Sequence, residues 1–253
     1  MAKKWSQESV WNPEVAVEQN HYNWFGEPIF SKACKTPMKT EMGMIDLFSG
    51  CGGFSVGFRM AGFVPLLAVD IHKPSLDTYA KNHPEAATFL GDIRKISPEQ
   101  IKATLGRNKL AVIVAGVPCQ GFSLCNRKRH DNDARNFLFE EFIRIVRFLK
   151  PPYVLLENVS GMKSAAGGKF VEDIEAAIEE LGYAVDHRML SALEHGVPQK
   201  RERLFFIGAL PGYEICWPVP THGPGKKPYR TVGDAIGDLP PLGNAEEIKK
   251  YKV

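Results

Sequence analysis

The sequence lacks any apolar run long enough to span a membrane, and its opening residues, MAKKW, are not followed by the apolar core of a signal peptide. Its five cysteines include no C-x-x-C pair, which disfavours a zinc site, and their odd number favours free thiols in a reducing compartment over a disulfide framework. A net charge of +3 permits nucleic-acid binding without indicating it. We therefore expect a cytosolic protein with no metal site and no membrane partner.

The length of 253 residues, with 44% hydrophobic and 24% charged residues, is typical of a soluble protein with one large core. Residues 43–215 hold the regular patterns that predict a catalytic domain, and residues 216–253 become rich in Pro and Gly, as in a linker. Residues 1–42 are interpreted as an arm packed on the main domain, or alternatively as a contact surface for another chain. Disordered tails rarely have so many aromatic residues, which here are Trp5, Trp11, Tyr22, Trp24 and Phe25.

Apolar, strand-like runs alternate with helical patterns from Met44 onward, which predicts an α/β fold with a mostly parallel sheet and helices on both faces. Helix ends are also marked, since Ser97-Pro98-Glu99-Gln100 supplies an N-cap, a proline at the first helical position and a capping-box glutamine. Seven strands are predicted, at residues 44–48, 65–69, 88–90, 111–115, 153–156, 184–190 and 203–207.

Three of these strands run into residues that can perform chemistry. The first leads to Ser49-Gly50-Cys51-Gly52-Gly53, a glycine-rich turn and helix start that lets a nucleotide-like ligand approach the backbone. The fourth leads to Pro118-Cys119-Gln120, where a restricted turn holds a thiol at the lip of the sheet, and the fifth leads to Glu157-Asn158-Val159. Ligands of open α/β sheets collect along this edge, so we expect the turn, the thiol and the carboxylate to share one site.

These motifs resemble those of the DNA cytosine-5 methyltransferases, and Gln199-Lys200-Arg201-Glu202-Arg203 is similar to the family's Gln-x-Arg-x-Arg element. The resemblance covers residues 44–208 and keeps the family's order of motifs. It implies a Rossmann-like fold that uses S-adenosylmethionine, and transfer of a methyl group to carbon 5 of cytosine in DNA. It also implies a bacterial enzyme of the restriction-modification type that acts in the cytoplasm, on the nucleoid.

Cys119 is the candidate nucleophile, because a thiolate added to carbon 6 of cytosine makes carbon 5 reactive toward an electrophilic methyl group. Glu157 is the candidate acid for ring nitrogen 3, where negative charge develops. The resemblance assigns these roles to the same residues and places Gln120 beside the nucleophile. The alternative for Cys119 by itself is a small buried hydrophobe, and Cys51 and Cys125 are interpreted as structural.

Arg201 and Arg203 lie at the entry to an apolar strand, where a solvated strand end is the alternative to a functional role. The resemblance implies that Arg203 meets the carbonyl oxygen of the cytosine and that Arg201 steadies the catalytic loop. The basic run at residues 126–130 suits contacts to the phosphates around a cytosine flipped out of double-stranded DNA. A merely solvated loop is the alternative for that run.

The cofactor pocket is predicted from the glycine turn and from acids at two further strand ends. Asp70 can accept hydrogen bonds from both ribose hydroxyls, although the family usually has a longer Glu there. Asp92 matches the residue that meets the adenine amino group, and helix caps are the alternative for both acids. Ile71 and Ile93 are expected on the two faces of the adenine ring. The residues predicted to bind S-adenosylmethionine are Phe48, Ser49, Gly50, Gly53, Asp70, Ile71, Asp92, Ile93, Pro118 and Leu138.

Family members continue into a target-recognition domain and then a helix with a Gly-Asn pair that touches the cofactor. In this sequence, residues 231–240 are similar to the lead-in to that domain, and the sequence stops at Val253. We therefore expect either a fragment or one subunit of a split enzyme whose C-terminal partner carries the target-recognition domain. The alternatives are an RNA (tRNA) cytosine-5 methyltransferase and a non-catalytic subunit that binds S-adenosylmethionine or DNA.

Overall fold

The computed structural model describes residues 42–118, 137–163 and 169–239 of the chain. Within these ranges lie the strands β1 Met42–Leu47, β2 Phe63–Asp70, β3 Ala87–Leu90, β4 Leu110–Gly116, β5 Tyr153–Val159, β6 Ala184–Ser191 and β7 Glu202–Ala209. The α-helices are α1 Gly53–Met60, α2 Lys73–Asn82, α3 Pro98–Leu105, α4 Phe137–Leu149, α5 Lys169–Glu179 and α6 Val232–Ile236. Short 3₁₀ turns occupy Ile93–Lys95, Ser160–Lys163 and Ala192–His195.

All seven strands form one sheet in the order β3-β2-β1-β4-β5-β7-β6. Neighbouring strands are parallel, except that β7 runs antiparallel to both β5 and β6. This confirms the predicted mostly parallel, seven-stranded α/β fold. The chain adds β2 and β3 on one side of β1, and then β4 and β5 on the other side. Such a reversal opens a crevice at the carboxyl ends of β1 and β4, where ligands of α/β sheets bind.

The core lies in two layers, because successive side chains of a strand alternate between the faces of the sheet. On one face, Ile45 and Leu47 of β1 are fully buried in the main apolar cluster. On the other face, Met44 packs with Val114 in a second cluster beneath α1. Asp46 shares this second face as a carboxylate that is only 1% exposed. A charge-bearing group in so apolar a layer indicates a role other than packing.

The helices begin and pack as their sequence patterns predict. The capping box of α3 is present, since Ser97 Oγ accepts from the N–H of Gln100 (3.1 Å) and Gln100 Oε1 accepts from the N–H of Ser97 (2.8 Å). On α4, Phe142 and Ile145 are fully buried. Leu138, one turn earlier, is partly buried against the same cluster. The apolar stripe of α4 therefore fixes this helix on the sheet.

Beyond β7, the chain packs along the edge strand β6. Trp217 is 2% exposed and donates a hydrogen bond from Nε1 to Asp186 Oδ2 at 2.7 Å. The guanidinium of Arg188 lies over the Trp217 ring, 5.2 Å from its centroid. This cluster anchors the start of the segment predicted as a linker. The predicted arm, apart from Met42 at the start of β1, lies outside the described residues.

The described residues also bear on the cysteine and membrane predictions. Cys51 is a free, exposed thiol, whereas Cys216 is disulfide-bonded. The expectation of free thiols is therefore wrong at Cys216, because an odd number of cysteines says nothing about which residues are neighbours. None of the helices in the described ranges is long and apolar enough to cross a membrane.

Gly43, where β1 passes between β2 and β4, tests the packing of the sheet. A Cβ at this residue would lie 2.6 Å from the carbonyl oxygen of Lys109 and would also strike Leu66. We expect Gly43→Ala to lower the free energy of unfolding by about 1–3 kcal/mol. For Gly57→Ala on α1, a Cβ would meet no atom of the described residues within 4 Å, and alanine should add about 0.5–1 kcal/mol through helix propensity. Urea unfolding followed by circular dichroism measures both variants, and equal stabilities would contradict this packing.

Candidate active site

A tight turn of residues 48–53, the glycine turn, connects β1 to α1 at the carboxyl edge of the sheet. Phe48, Gly50 and Gly52 have φ angles of 58°, 54° and 91°, which glycine adopts at no steric cost. The N–H of Ser49 donates to the carbonyl oxygen of Val69 (3.1 Å), which ties the turn to β2. Phe48 is the costly position, because a bulky residue at positive φ is strained, and such strain concentrates at functional sites.

The glycine turn has an open side and a closed side. A Cβ built on Gly50 or Gly53 would meet no atom of the described residues within 4 Å, so a ligand has room to approach the backbone there. A Cβ on Gly52 would lie 2.7 Å from the ring of Tyr79, so this glycine packs directly on α2. The predicted cofactor residues Phe48, Ser49, Gly50 and Gly53 therefore lie together in one turn with space beside it.

Asp70, at the end of β2, braces the glycine turn. Its Oδ2 accepts a hydrogen bond from the N–H of Gly50, and its Oδ1 accepts one from the N–H of His72, each at 2.7 Å. A carboxylate oxygen has two lone pairs, so the bracing leaves acceptors for ribose hydroxyls. Ile71, beside Asp70, is 72% exposed, and its apolar side chain is open to contact with a ligand.

Asp92, after β3, is held by its neighbour Arg94. Asp92 Oδ1 accepts from Arg94 Nε (2.9 Å), and Asp92 Oδ2 accepts from Arg94 Nη2 (2.5 Å). Asp92 Oδ1 also accepts from the backbone N–H of Arg94 and caps the 3₁₀ turn. The hydrogen bonds from Arg94 lower the pKa of Asp92 to about 2. Because Asp92 caps the 3₁₀ turn, the helix-cap alternative is correct for this residue, and its contact to adenine stays a prediction.

Ile93 is 4% exposed and lies in the main core, whereas Ile71 is exposed.

Glu157 and Arg203 form an ion pair at the carboxyl edge. Arg203 Nε lies 2.9 Å from Glu157 Oε1, and Arg201 Nη2 lies 3.8 Å from the same oxygen. The pair meets because β7 is antiparallel to β5, with Val159 opposite Arg203 and Phe205 opposite Glu157. The structure therefore brings together three of the residues predicted to be catalytic, although their chemical roles stay predictions.

An apolar wall lies next to this ion pair. Glu157 Oε2 is 3.7 Å from the position of a Cβ on Gly116, the last residue of β4, and the ring of Phe54 is equally near that position. The Phe54 ring stands edge-on to Phe205, with 6.4 Å between the ring centroids. A few charged groups beside apolar rings are typical of sites that bind small planar molecules. Sequence reasoning missed Phe54 and Phe205, because both read as ordinary core residues.

The predicted nucleophile follows β4 along the chain. Pro118 is exposed just beyond the end of that strand. Cys119, Gln120 and the basic run at 126–130 lie outside the described residues, so their roles stay predictions. In the described ranges, no group of three or more His, Cys, Asp or Glu side chains could hold a metal ion.

A buried set of hydrogen bonds lies under the glycine turn, and we call it the Asp46 network. Ser55 Oγ on α1 donates to Asp46 Oδ2 at 2.7 Å, and the Tyr79 hydroxyl on α2 lies 2.7 Å from Ser55 Oγ. Burial raises the pKa of Asp46 to about 7, because the hydrogen bond from Ser55 only partly replaces the lost hydration. Asp46 Oδ1 and the Ser49 hydroxyl are buried with no hydrogen-bond partner among the described residues.

Comparison with known families identifies the chain. A family model described as C-5 cytosine-specific DNA methylase matches residues 42–252, which include the glycine turn and the Glu157–Arg203 pair. The chain belongs to this methylase family. The match confirms the resemblance that the motifs carry, and it extends from β1 through the Gln-x-Arg-x-Arg element.

Curated relatives match most of this methylase, but they differ in length. It is 41% identical over 204 residues to Type II methyltransferase M1.HphI of Haemophilus parahaemolyticus, which covers 80% of this chain and 54% of the relative. It is 39% identical over 223 residues to Type II methyltransferase M.AquIA of Picosynechococcus, which covers 79% of this chain and 90% of the relative. The methylase thus spans about half the length of M1.HphI and most of the length of M.AquIA.

Solved structures have the same fold. One crystal structure, described as a DNA modification methyltransferase encoded within an E. coli prophage, is 31% identical to this methylase with a TM-score of 0.67, covering 80% of this chain and 56% of the other. A variant of Spodoptera frugiperda DNMT2 is 24% identical with a TM-score of 0.57, covering 75% and 57% of the two chains. The first likeness confirms the predicted methyltransferase fold, and the second concerns the fold alone.

Asp46 should make the stability of the methylase depend on pH. Its pKa is raised from 3.8 to about 7 in the folded protein, so between these values the folded state holds a proton that the unfolded state has lost. The stability that the protonated Asp46 carboxyl gives the folded state is fully present below pH 3.8, and it is lost as the pH rises through about 7. We expect Asp46→Asn, which cannot ionise, to gain about 2 kcal/mol relative to the wild type between pH 5.5 and pH 8.

Urea unfolding at several pH values measures this difference in stability. Asp77→Asn is the control, because Asp77 is an exposed partner of Lys73 on α2, and its difference from the wild type should be nearly constant over this range. Parallel pH curves for Asp46→Asn and the wild type would show that Asp46 does not titrate there.

Proposed function

We propose that this chain is the catalytic part of an enzyme that transfers a methyl group from S-adenosylmethionine to carbon 5 of cytosine in double-stranded DNA. The observation that carries the proposal is the Glu157–Arg203 pair beside the end of β4, in a chain of the C-5 cytosine-specific DNA methylase family. The relatives are named Type II methyltransferases. We therefore also propose a role in bacterial restriction-modification, in the cytoplasm and on nucleoid DNA.

The ion pair suits one edge of a cytosine ring, which presents a carbonyl oxygen, ring nitrogen 3 and an amino group. Arg203 uses Nε for Glu157 and Nη1 for the carbonyl oxygen of Glu202 (2.8 Å), so Nη2 can donate to the cytosine carbonyl oxygen. Glu157 Oε2, which lies 3.7 Å from the position of a Cβ on Gly116, can meet ring nitrogen 3. A protonated Glu157 would donate to that nitrogen as negative charge develops on the ring.

Cys119 is the proposed nucleophile, three residues after Gly116 in the sequence. Its thiolate adds to carbon 6 and forms a sulfur–carbon bond, while the displaced electron pair is stabilised at ring nitrogen 3 by the proton from Glu157. Carbon 5 then takes the methyl group. The sulfonium that gives up the methyl group would leave as a neutral thioether. A base such as water then takes the proton from carbon 5, the electrons of that bond expel the thiolate, and ring nitrogen 3 returns its proton to Glu157. These steps restore the aromatic ring and the free cysteine.

The glycine turn fits S-adenosylmethionine, which when bound supplies an electrophilic methyl group. Space beside Gly50 and Gly53 admits a ligand close to the backbone. Asp70 would accept hydrogen bonds from the ribose hydroxyls with its remaining lone pairs, and exposed Ile71 would cover the adenine ring. The unpartnered Oδ1 of Asp46 adds a buried acceptor for a positively charged group. These features support the cofactor, and no metal is needed for the reaction.

We further propose that recognition of the target sequence uses a C-terminal segment or a separate polypeptide. The described residues form one sheet with its flanking helices, and M1.HphI is almost twice as long as the stretch it shares with this chain. Apolar side chains near the end of the described ranges are exposed by 41% to 59%, and burial against further protein would suit them. They are Tyr229, Val232, Ile236 and Leu239.

Trapping of a covalent adduct tests the proposed nucleophile. DNA that carries 5-fluorocytosine should form a complex with the chain that is stable to denaturant, in the presence of S-adenosylmethionine and the complementing C-terminal part. Fluorine cannot leave carbon 5 as a proton does, so the sulfur–carbon bond persists. We expect Cys119→Ala to abolish the adduct in denaturing gel electrophoresis, a loss of at least about 100-fold.

Cys51→Ala and Cys125→Ala are the matched controls, since each removes one thiol near the same motifs. Both variants should still trap the DNA. The nucleophile is wrongly assigned if Cys119→Ala retains the adduct while one of these controls loses it.

The chain alone should methylate duplex DNA near background. Extruding a base costs a few kcal/mol, which contacts on both sides of the duplex normally offset, and a net charge of +3 adds modest attraction. We expect tritiated methyl incorporation at low salt to rise at least about tenfold when the proposed C-terminal segment or partner is supplied in cis or in trans. Sequence-specific methylation by the 253-residue chain alone would place target recognition within it. Incorporation into tRNA but not DNA would favour the RNA alternative.

A further inference from the structure

When Asp46 is ionised, each hydroxyl of the Asp46 network donates its hydrogen bond toward the Asp46 carboxylate. A serine hydroxyl has a single proton, and Ser55 donates it to Asp46 Oδ2. The 2.7 Å contact between Ser55 and Tyr79 is then a hydrogen bond that Tyr79 donates. Two hydroxyl dipoles in series therefore stabilise negative charge on Asp46, and a buried medium strengthens their effect.

The Asp46 network lies directly under the glycine turn. Asp46 is two residues before Phe48, and the Tyr79 ring lies 2.7 Å from the position of a Cβ on Gly52. Four of the buried polar atoms without a hydrogen-bond partner among the described residues belong to this region: Asp46 Oδ1, Ser49 Oγ and the two ring nitrogens of His83. An unsatisfied buried acceptor is costly, and it indicates a polar group of a ligand or water that completes the site.

The charges around the Asp46 network leave Asp46 without a cation among the described residues. Asp70 on β2 adds negative potential and helps to raise the pKa of Asp46, after the larger effect of burial. At the far end, Arg59 on α1 pairs with Glu85 (3.2 Å). His83 packs on the Tyr79 ring, with 4.7 Å between ring centroids, and burial lowers its pKa, which favours the neutral imidazole. A buried carboxylate in these surroundings favours a cationic ligand.

We propose that Tyr79 and Ser55 are positioning residues that favour the ionised form of Asp46 and orient its carboxylate toward the cationic methionine end of the methyl donor. This inference rests on the proposed use of S-adenosylmethionine. It makes cofactor binding a proton-linked step, because a bound cation favours the ionised carboxylate and displaces the proton that Asp46 otherwise holds near neutral pH. Affinity for S-adenosylmethionine should therefore rise with pH through the titration of Asp46.

Calorimetric titration of the full chain with S-adenosylmethionine tests the inference. Measurements between pH 5.5 and pH 7.5 keep the donor's own amino group largely protonated, and two buffers of different ionisation enthalpy report the protons released. We expect the wild-type Kd to fall about tenfold over this range, with proton release near neutral pH. Tyr79→Phe removes one donor from the Asp46 network, so it should raise Kd about five- to tenfold at pH 7 and move the midpoint to higher pH.

Tyr183→Phe is the matched control, because its buried hydroxyl donates to the carbonyl oxygen of Pro151 (2.7 Å) far from the glycine turn. This variant should lose similar stability and keep the wild-type Kd and midpoint. Ser55→Ala is the second test variant and should shift the midpoint in the same direction as Tyr79→Phe. Circular dichroism establishes that each variant is folded.

The outcomes separate this inference from the proposed function. A Kd for both Tyr79→Phe and Ser55→Ala within twofold of the wild type at every pH overturns the inference and leaves the cofactor assignment standing. A loss of affinity that is equal at all pH values also overturns it, since that is the result of a merely structural role. Failure of the wild-type chain to bind S-adenosylmethionine, alone or with its C-terminal part, overturns the cofactor assignment and the inference together.

Discussion

The pairing of β1 with β2 on one side and β4 on the other is the constraint on which the whole site depends. Because the chain extends the sheet in opposite directions from β1, the loops after β1 and β4 diverge and leave a crevice between them. The glycine turn enters this crevice from β1, and Gly116 and Pro118 reach it from β4. Full burial of the central strands fixes their register, and thereby the relative positions of these groups.

Local patterns were sufficient to predict the architecture. The central strands β1 and β4 are largely buried and form continuous apolar runs, so they were easily recognised. The outer strands β3 and β6 are more exposed, and the alternation of strand and helix patterns located them. Ser97 and Gln100 mark the start of α3 by chemistry that acts within one helical turn. Glu157 and Arg203 were each predicted at the catalytic site, Glu157 from its place at the end of a strand and Arg203 from the family resemblance, but the ion pair between them was not predicted. The bounds were less accurate, since β5 continues to Val159 and places Glu157 inside the strand.

Contacts between side chains that are distant in sequence could not be predicted. Tyr79 meets Ser55 across 24 residues, and no local pattern signals that meeting. A contact between residues close in sequence was also missed. Arg94 donates hydrogen bonds to the Asp92 carboxylate, and this contact depends on the conformation of the Arg94 side chain. The burial of Ile93 in the main core, within the 3₁₀ turn that Asp92 caps, was likewise not foreseen, and its contact to adenine stays a prediction. The structure thus adds the burial that raises the pKa of Asp46 and the hydrogen bonds that lower the pKa of Asp92.

The direction of β7 also determines which edge of the sheet the residues after it reach. β7 ends at Ala209, opposite the start of β5 and at the edge of the sheet remote from Glu157. By Thr221 the chain has returned, since its N–H donates to the carbonyl oxygen of Glu194 (2.9 Å), in the 3₁₀ turn that follows β6 at the carboxyl edge. A single traverse down the flank of the sheet therefore brings the chain back to the carboxyl edge, beside the edge strand β6. A segment that leaves the sheet there starts on the same edge that carries the glycine turn and the Glu157–Arg203 pair, rather than on the opposite edge where β7 ends.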